Sequence, residues 1–146
     1  MKQYFLIFLL SLVLTTVTGC GQKTVFVSGT VTYQGKPASD IAVCFEHDSN
    51  STDPGPAAIG KTDQAGKYTL RLMNHSKKAG VLPGQYRVFL RWVDPNMDRT
   101  SNDDKPKQNP SPYPNALSVY QGEGVLKIVP NSERNFTFDF QLDKID

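Results

Sequence analysis

Residues 25–37, with the sequence VFVSGTVTYQGKP, and residues 41–45, IAVCF, indicate the fold of this chain. Apolar or small residues alternate with polar ones along the first stretch, which is typical of a half-buried β-strand. Gly35 then supplies the permissive backbone of a turn. The second stretch repeats the alternation. The residues predicted to face a core are Val25, Val27, Gly29, Val31 and Tyr33 in the first stretch and Ile41, Val43 and Phe45 in the second.

The same alternation continues along the rest of the chain. No window after residue 20 places apolar residues at helical spacing over three turns. Residues 58–62 predict a short strand, and residues 62–67 predict a hairpin turn. Seven or so short strands with turns between them predict an all-β sandwich. The further core-facing residues are Tyr68, Leu70, Leu72, Tyr86, Val88, Leu90, Trp92, Leu126, Ile128, Phe136, Phe138, Phe140 and Leu142.

Length and composition allow one compact domain. The chain has 146 residues, of which 38% are hydrophobic and 21% are charged, as in an ordinary globular protein. Sixteen basic and fourteen acidic side chains leave a net charge of +2, spread along the chain, which argues against a nucleic-acid-binding surface. Two cysteines do not make a disulfide scaffold, and two histidines leave few ligands for a transition metal. We therefore expect no cofactor, no metal and no nucleic-acid partner.

The first nineteen residues have the features of a signal peptide. Lys2 precedes an apolar run at residues 5–14, FLIFLLSLVL. Ten helical residues rise about 15 Å, half of the roughly 30 Å of a bilayer core. A short apolar run between a basic start and small residues is typical of a secretory signal. A core helix, or an ordinary signal peptide followed by an incidental cysteine, is the alternative.

The sequence Val17-Thr18-Gly19-Cys20 resembles the lipobox of bacterial lipoproteins. The resemblance implies that a signal peptidase recognises the first three of these residues and cuts before Cys20. The cysteine would then carry a diacylglycerol on its thiol and a fatty acyl chain on its new amine. Acyl chains contribute about 0.8 kcal/mol per buried CH₂, so several of them would attach the protein permanently to a membrane.

The resemblance also implies a location in the cell envelope. Residues 20–24 would be the acylated cysteine and a short tether, so that the following domain faces the periplasm or the cell surface. In enterobacterial lipoproteins an aspartate after the cysteine favours retention in the inner membrane. Gly21 holds that position here, which favours the outer membrane.

Four segments in order resemble carboxypeptidase-regulatory-like, transthyretin-like domains. Residues 28–37 match a "GxVxxxGKP" strand and turn, and residues 62–68 match a "TDxxGxF/Y" hairpin. Residues 82–88 match "xPGxYxV", and residues 135–142 match a closing "FDFxL" strand. The resemblance implies that residues 25–146 form a single seven-stranded Greek-key sandwich of the prealbumin-like type. Such domains occur in many small bacterial lipoproteins.

A long connection at residues 94–118 departs from a minimal domain of this kind. It holds five of the ten prolines, and loops above about 12–15 residues are usually functional or mobile. A solvated connection stiffened by proline is the alternative. Oxygen-bearing side chains recur at every second position after Asp94, as in a calcium loop. The EF-hand pattern fails, however, because Arg99 replaces its glycine and Lys105 replaces its bidentate glutamate.

The histidines do not form a catalytic pattern. We predict that His47 and His75 lie in solvent-exposed turns, with His47 and Asp48 on opposite faces of the chain. The two histidines are too far apart for the closely spaced pair of iron intradiol dioxygenases. The final residues 141–146, QLDKID, lack the Tyr-Arg-Gly-Ser ending of hydroxyisourate hydrolases. We therefore expect a protein without enzymatic activity.

Cys44 has no disulfide partner once Cys20 carries lipid. Because successive side chains of a strand point to opposite faces, Cys44 is predicted to share the outer face with Ala42, opposite the core-facing residues of its strand. A covered, reduced thiol in a monomeric domain is the prediction, since free cysteine usually behaves as a small hydrophobe. An intermolecular disulfide in an oxidising compartment is the alternative.

Two functions remain open from the sequence. The first is a membrane-anchored domain with a structural or binding role. The second is a carbohydrate- or peptide-binding module that uses residues 94–118 and the aromatic residues Phe89, Tyr113 and Tyr120. A concave pocket lined by aromatic and acidic side chains near this loop would favour binding. A flat polar surface would favour a structural role.

Overall fold

A computed structural model describes residues 23–48, 55–73, 79–96, 109–113 and 117–143. The proposed signal peptide, Cys20, His75 and most of the long connection lie outside these ranges. Within them, no helix combines the length and the apolar character needed to cross a membrane.

Ten short strands and one helical turn make up the described part of the chain. The helical turn is Ser118–Gln121. The strands are β1 Phe26–Tyr33, β2 Lys36–Pro37, β3 Ile41–His47, β4 Ala58–Lys61, β5 Lys67–Thr69, β6 Arg71–Leu72, β7 Gly84–Trp92, β8 Val125–Val129, β9 Asn135–Thr137 and β10 Phe140–Gln141.

The strands form two five-stranded sheets, which confirms the all-β prediction. In the first sheet β1 is central, with β2 and β5 antiparallel to it and β9 and β10 parallel to it. The second sheet has the order β6-β4-β3-β7-β8, with antiparallel pairs throughout. One hydrophobic core takes side chains from both sheets. The Greek-key connectivity of the prealbumin-like type stays a prediction.

Period-two alternation predicted the core faces of the three longest strands correctly. Trp92 is half-buried and packs against the core, and its strand neighbours Arg87, Phe89 and Arg91 are partly or largely exposed. Alternate side chains of a strand point to opposite faces, so one buried residue fixes the rest. The fully buried residues of these strands are Val27, Val31, Ile41, Val43, Phe45, Tyr86, Val88 and Leu90.

The predicted core face of β8 is wrong. Leu126 is 48% exposed and Ile128 is 65% exposed. In the register of β8 on β7, these residues pair with Arg87 and Gln85, which face outward. Four of the five residues of β8 are apolar, so its own sequence does not choose a face. The pairing with β7 makes the choice and places Lys127 on the inner face.

The turn at residues 62–67 forms, but it does not join two strands paired along their length. The Asp63 carboxylate accepts hydrogen bonds from the backbone amides of Ala65 and Lys67, both at 2.9 Å. The strand before the turn, β4, pairs with β3 and β6, whereas β5 pairs with β1 in the other sheet. The chain crosses back at Leu70, whose amide donates to the carbonyl of Val27. The predicted hairpin is therefore split between the sheets.

The C-terminal strand is interrupted where it passes β1. A β-carbon added to Gly29 would lie 1.8 Å from the carbonyl oxygen of Phe138. The Tyr68 hydroxyl donates to that oxygen at 2.7 Å. Both the amide and the hydroxyl of Thr30 donate to Oδ1 of Asp139 at 2.7 Å. A side-chain carboxylate thus replaces a backbone carbonyl in the ladder between β9 and β10.

The strand ends define two poles of the sandwich. At the tether pole, β1, β4, β7 and β9 begin and β3, β6 and β8 end. At the opposite loop pole lie the turn at residues 62–66 and Asp94, where the long connection begins. The nine residues of β7 run from one pole to the other, about 26 Å at 3.3 Å per residue. The long connection therefore leaves the domain at the end remote from the N-terminal tether.

Candidate functional site

A groove crosses the outer face of the second sheet. Its central part is a cavity of ≈ 500 Å³ between β3, β4, β7 and the helical turn. The outward residues of β3 include Ala42 and Cys44, whose small side chains leave space above the sheet. The helical turn lies against β7 and raises one wall. The cavity is lined by Ala42, Cys44, Glu46, Ile59, Phe89, Leu90, Arg91, Tyr120 and Gln121.

Two neighbouring cavities extend this hollow, and we call the three together the outer groove. A cavity of ≈ 240 Å³ shares Arg91 and Gln121 with the central part and reaches Trp92 and Asn109 at the base of the long connection. On the other side, a cavity of ≈ 600 Å³ shares Ala42 and Ile59 with the central part. The charged residues there are Lys61, Asp63, Lys67 and Arg71. The groove therefore joins an aromatic region near the loop to a charged region near β6.

Asp94 fixes the base of the long connection. One carboxylate oxygen accepts a hydrogen bond from the amide of Asn96 at 2.9 Å, and the other accepts one from the amide of Asn109 at 2.8 Å. The hydrogen bond from the Asn109 amide is the main cause that lowers the pKa of Asp94. This buried carboxylate therefore joins the two ends of the connection. An aspartate that starts a turn is the only sequence signal for this role.

Cys44 lies on the outer face, as its parity predicted, and is half-buried in the groove floor. Its thiol donates to Oε1 of Glu46 at 3.7 Å. Burial, and then the negative charge of Glu46, raise the pKa of Cys44 to about 11. The thiolate is the nucleophilic form of cysteine, so this thiol is a poor nucleophile at neutral pH. The redox state of Cys44 and the monomeric state stay predictions.

The three aromatic residues singled out from the sequence separate into two groups. Phe89 and Tyr120 both line the groove. The ring of Tyr120 also packs edge-on against Phe140, with centroids 5.9 Å apart, so it links the groove wall to the core. Tyr113 lies elsewhere: its ring packs edge-on against Tyr33 at 5.5 Å. The sequence did not indicate the groove itself, because its depth depends on small residues meeting a distant helical turn.

His47 does not lie in an exposed turn, so that prediction is wrong. It is the last residue of β3, paired with Tyr86, and it is half-buried. The rings of these two residues pack with centroids 4.3 Å apart. Pairing with β7 extends the strand to His47, two residues beyond the apolar pattern at residues 41–45.

Asp48 and His47 lie on opposite sides of the chain, as predicted. Asp48 is buried and pairs with Arg87, whose Nε lies 2.9 Å from Oδ1. Arg87 also donates to the carbonyl of Glu123 at 3.0 Å. These contacts tie the end of β3 to the segment before β8. Among the residues that the structure describes, no group of three or more His, Cys, Asp or Glu side chains could hold a metal ion.

No protein-family model, no curated protein and no solved structure matches this chain. The lipobox and the transthyretin-like motifs are therefore interpretations of the sequence alone.

Proposed function

We propose that this chain is a lipid-anchored lipoprotein of the bacterial cell envelope, with a non-enzymatic structural or binding role. The observation that carries the proposal is the apolar run at residues 5–14 followed by the lipobox-like Val17-Thr18-Gly19-Cys20. Acylation of Cys20 anchors the domain to a membrane, and the domain faces the periplasm or the cell surface.

The start of the described domain is compatible with a lipid at Cys20. The first backbone pairing joins Val25 to Val81, with both hydrogen bonds at 2.8 Å. Lys23 is exposed, and the core begins at Val25. Modification of a residue five positions earlier therefore requires no change in the packing described above.

Metabolic labelling with a radioactive fatty acid tests the anchor. We expect the wild-type chain to incorporate label and to sediment with membranes. Cys20→Ala should lose both properties and still fold, because the core begins after it. Cys44→Ala is the matched control and should keep both. Label retained by Cys20→Ala, or lost equally from both variants, would contradict the proposal.

A second candidate function is binding of a carbohydrate or a peptide in the outer groove. It is favoured by the position of Phe89, Tyr120 and Glu46 in one cavity that continues to the base of the long connection. Aromatic faces pack on sugar rings or apolar side chains, and a few charged groups fix the orientation of a ligand. The groove is open and shallow, which suits an extended chain rather than an enclosed small molecule.

Trp92 provides a built-in reporter for this binding. It is the only tryptophan of the chain, and it lines the groove near the long connection. Titration with oligosaccharides and with extended peptides should change its fluorescence in a saturable way. Phe89→Ala should abolish the change, whereas Leu126→Ala, an exposed substitution outside the groove, should keep it. An unchanged spectrum with every probe would favour the structural role.

A further inference from the structure

The floor of the outer groove contains basic residues that all lie on one face of the second sheet. Residues that pair directly across neighbouring antiparallel strands point to the same side of the sheet. One row of such residues crosses β6, β4, β3 and β7 and consists of Arg71, Ile59, Cys44 and Phe89. The adjacent row is Lys61, Ala42 and Arg91. Both rows contain basic side chains and neither contains an acidic one, so this part of the floor is positively charged.

Two of these basic residues keep their charge available to a ligand. Lys61 forms an ion pair with Asp40 at 2.7 Å. Arg71 and Arg91, by contrast, are exposed and form no ion pair with any residue in the described ranges. At about 4.8 Å per strand and 3.3 Å per residue, their Cα atoms lie about 16 Å apart across the sheet. Such a separation suits successive charges along a polymer rather than one small anion.

The acidic residues that line the groove do not neutralise these arginines. Glu46 lies one row further along β3, where its Oε1 accepts the thiol of Cys44 at 3.7 Å. Oδ1 of Asp63 accepts two backbone amides of its own turn. Within the part of the chain that the structure describes, neither carboxylate pairs with Arg71 or Arg91. An anionic ligand is therefore attracted to the two rows and repelled only at their margin beside Glu46.

The construction of the floor favours a polysaccharide over a peptide. The strands β4, β3 and β7 each pair with a strand on both sides, so their backbone groups are not available to an added chain. Extended peptides that bind sheets depend on such backbone groups at an edge. A sugar instead binds through side chains, with an aromatic ring on its apolar face and polar groups on its hydroxyls. Phe89, Trp92 and the exposed Gln121 supply these groups here.

We propose that the outer groove binds an acidic polysaccharide whose charges are carboxylates on the sugar rings. Arg91 and Arg71 bind successive uronate groups, because the planar fork of a guanidinium matches a carboxylate through two parallel hydrogen bonds. Phe89, which lies beside Arg91 on the same face of β7, packs against a sugar ring. The small side chains of Ala42 and Cys44 leave room for the chain between the arginines. This inference rests on the binding function proposed for the groove and adds the class of its ligand.

Isothermal titration calorimetry of the full-length protein, in micelles of an uncharged polyoxyethylene detergent, tests the ligand class. The probes are an oligogalacturonate, its fully methyl-esterified form and an oligoglutamate of the same charge. We expect only the oligogalacturonate to bind, and to bind more weakly at high salt because salt screens exposed charges. Equal or tighter binding of the methyl ester would overturn the role of charge and leave a carbohydrate-binding groove. Equal binding of oligoglutamate would overturn the choice of a polysaccharide.

Binding of none of the three probes would overturn this inference. The binding function of the groove would then be decided separately by the Trp92 titration with neutral oligosaccharides and peptides described above. A saturable change in that titration would show that the groove binds a ligand of another class.

Substitution of the arginines separates the groove from a general attraction to a basic protein. Arg91→Gln and Arg71→Gln should each weaken oligogalacturonate binding about 2–5-fold, and together about tenfold. Both side chains are exposed, so their loss leaves the core unchanged. Arg134→Gln is the matched control, because Arg134 is exposed and precedes β9 in the other sheet. Unchanged affinity in the double variant, or an equal loss in the control, would overturn the site.

Discussion

Replacing Gly29 with alanine should push the C-terminal strand away from β1. An alanine β-carbon would lie 1.8 Å from the carbonyl oxygen of Phe138 and 2.7 Å from its carbonyl carbon. Both atoms belong to the backbone, so no side-chain rotation relieves the clash. Three hydrogen bonds that involve a backbone group depend on this approach: Phe138 amide to Ser28 carbonyl at 3.0 Å, Tyr68 hydroxyl to Phe138 carbonyl, and Thr30 amide to Asp139.

The loss of these bonds sets the size of the effect. At about 0.5–1.5 kcal/mol each, three hydrogen bonds contribute about 3 kcal/mol to the free energy of unfolding. For an m-value of about 1–3 kcal/mol/M, the urea midpoint should fall by about 1–3 M. The midpoint can be followed by the fluorescence of Trp92, with every variant measured on the same Cys20→Ala background.

Gly35→Ala is the matched control. Gly35 has a φ of 73°, and none of the described residues comes within 4 Å of its added β-carbon. Its cost is the left-handed backbone alone, about 1–2 kcal/mol. A midpoint for Gly29→Ala at or above that of Gly35→Ala would refute the steric reasoning.

Three further predictions concern other parts of the domain. Leu90→Ala should lower the free energy of unfolding by about 2–5 kcal/mol, because Leu90 is fully buried. Leu126→Ala on the neighbouring strand should change it by less than about 1 kcal/mol, because Leu126 is exposed. Equal urea midpoints for the two variants would contradict the register of β8. Because hydrogen bonding lowers the pKa of Asp94 below 3.8, its stabilising effect should be complete above that value and disappear as the pH falls through the folded-state pKa. The difference in thermal midpoint between the wild type and Asp94→Asn should therefore shrink in acid, and a constant difference would refute this. Cys44 should react slowly with a thiol reagent at pH 8 and faster in Glu46→Gln, which removes a cause of its raised pKa; equal rates would exclude the role of Glu46.

Alternation along the sequence predicted the buried face correctly for those strands in which only one face is apolar. In β3 the residues Ile41, Val43 and Phe45 alternate with smaller or polar neighbours, so burial of one set is strongly preferred. In β8 both faces are apolar except at Lys127, and alternation around that single polar residue predicted the wrong face. Pairing with β7, nearly forty residues earlier in the chain, supplies the missing information.

The candidate site was predictable only in part. The outward position of Cys44 follows from local parity, and the turn at Asp63 follows from local turn chemistry. The groove depends on contacts between β3, β7 and the helical turn, which no local pattern contains. The hydrogen bond from the Asn109 amide to Asp94 likewise joins the two ends of the long connection, and no local sequence pattern predicts that these ends meet.

The parallel pairing of β1 with β9 and β10 has a consequence for the timing of folding. Thr30 and Asp139 are separated by 109 positions in the chain. The first strand, β1, therefore lacks its neighbours on one side until β9 and β10 have been synthesised. Contacts between residues so distant in sequence form late and slow the search for the native state. A ribosome or a secretion channel that handles the chain from its N-terminus therefore meets an incomplete sheet until β9 and β10 are released. We expect the domain to close in one late step, after β9 and β10 are free.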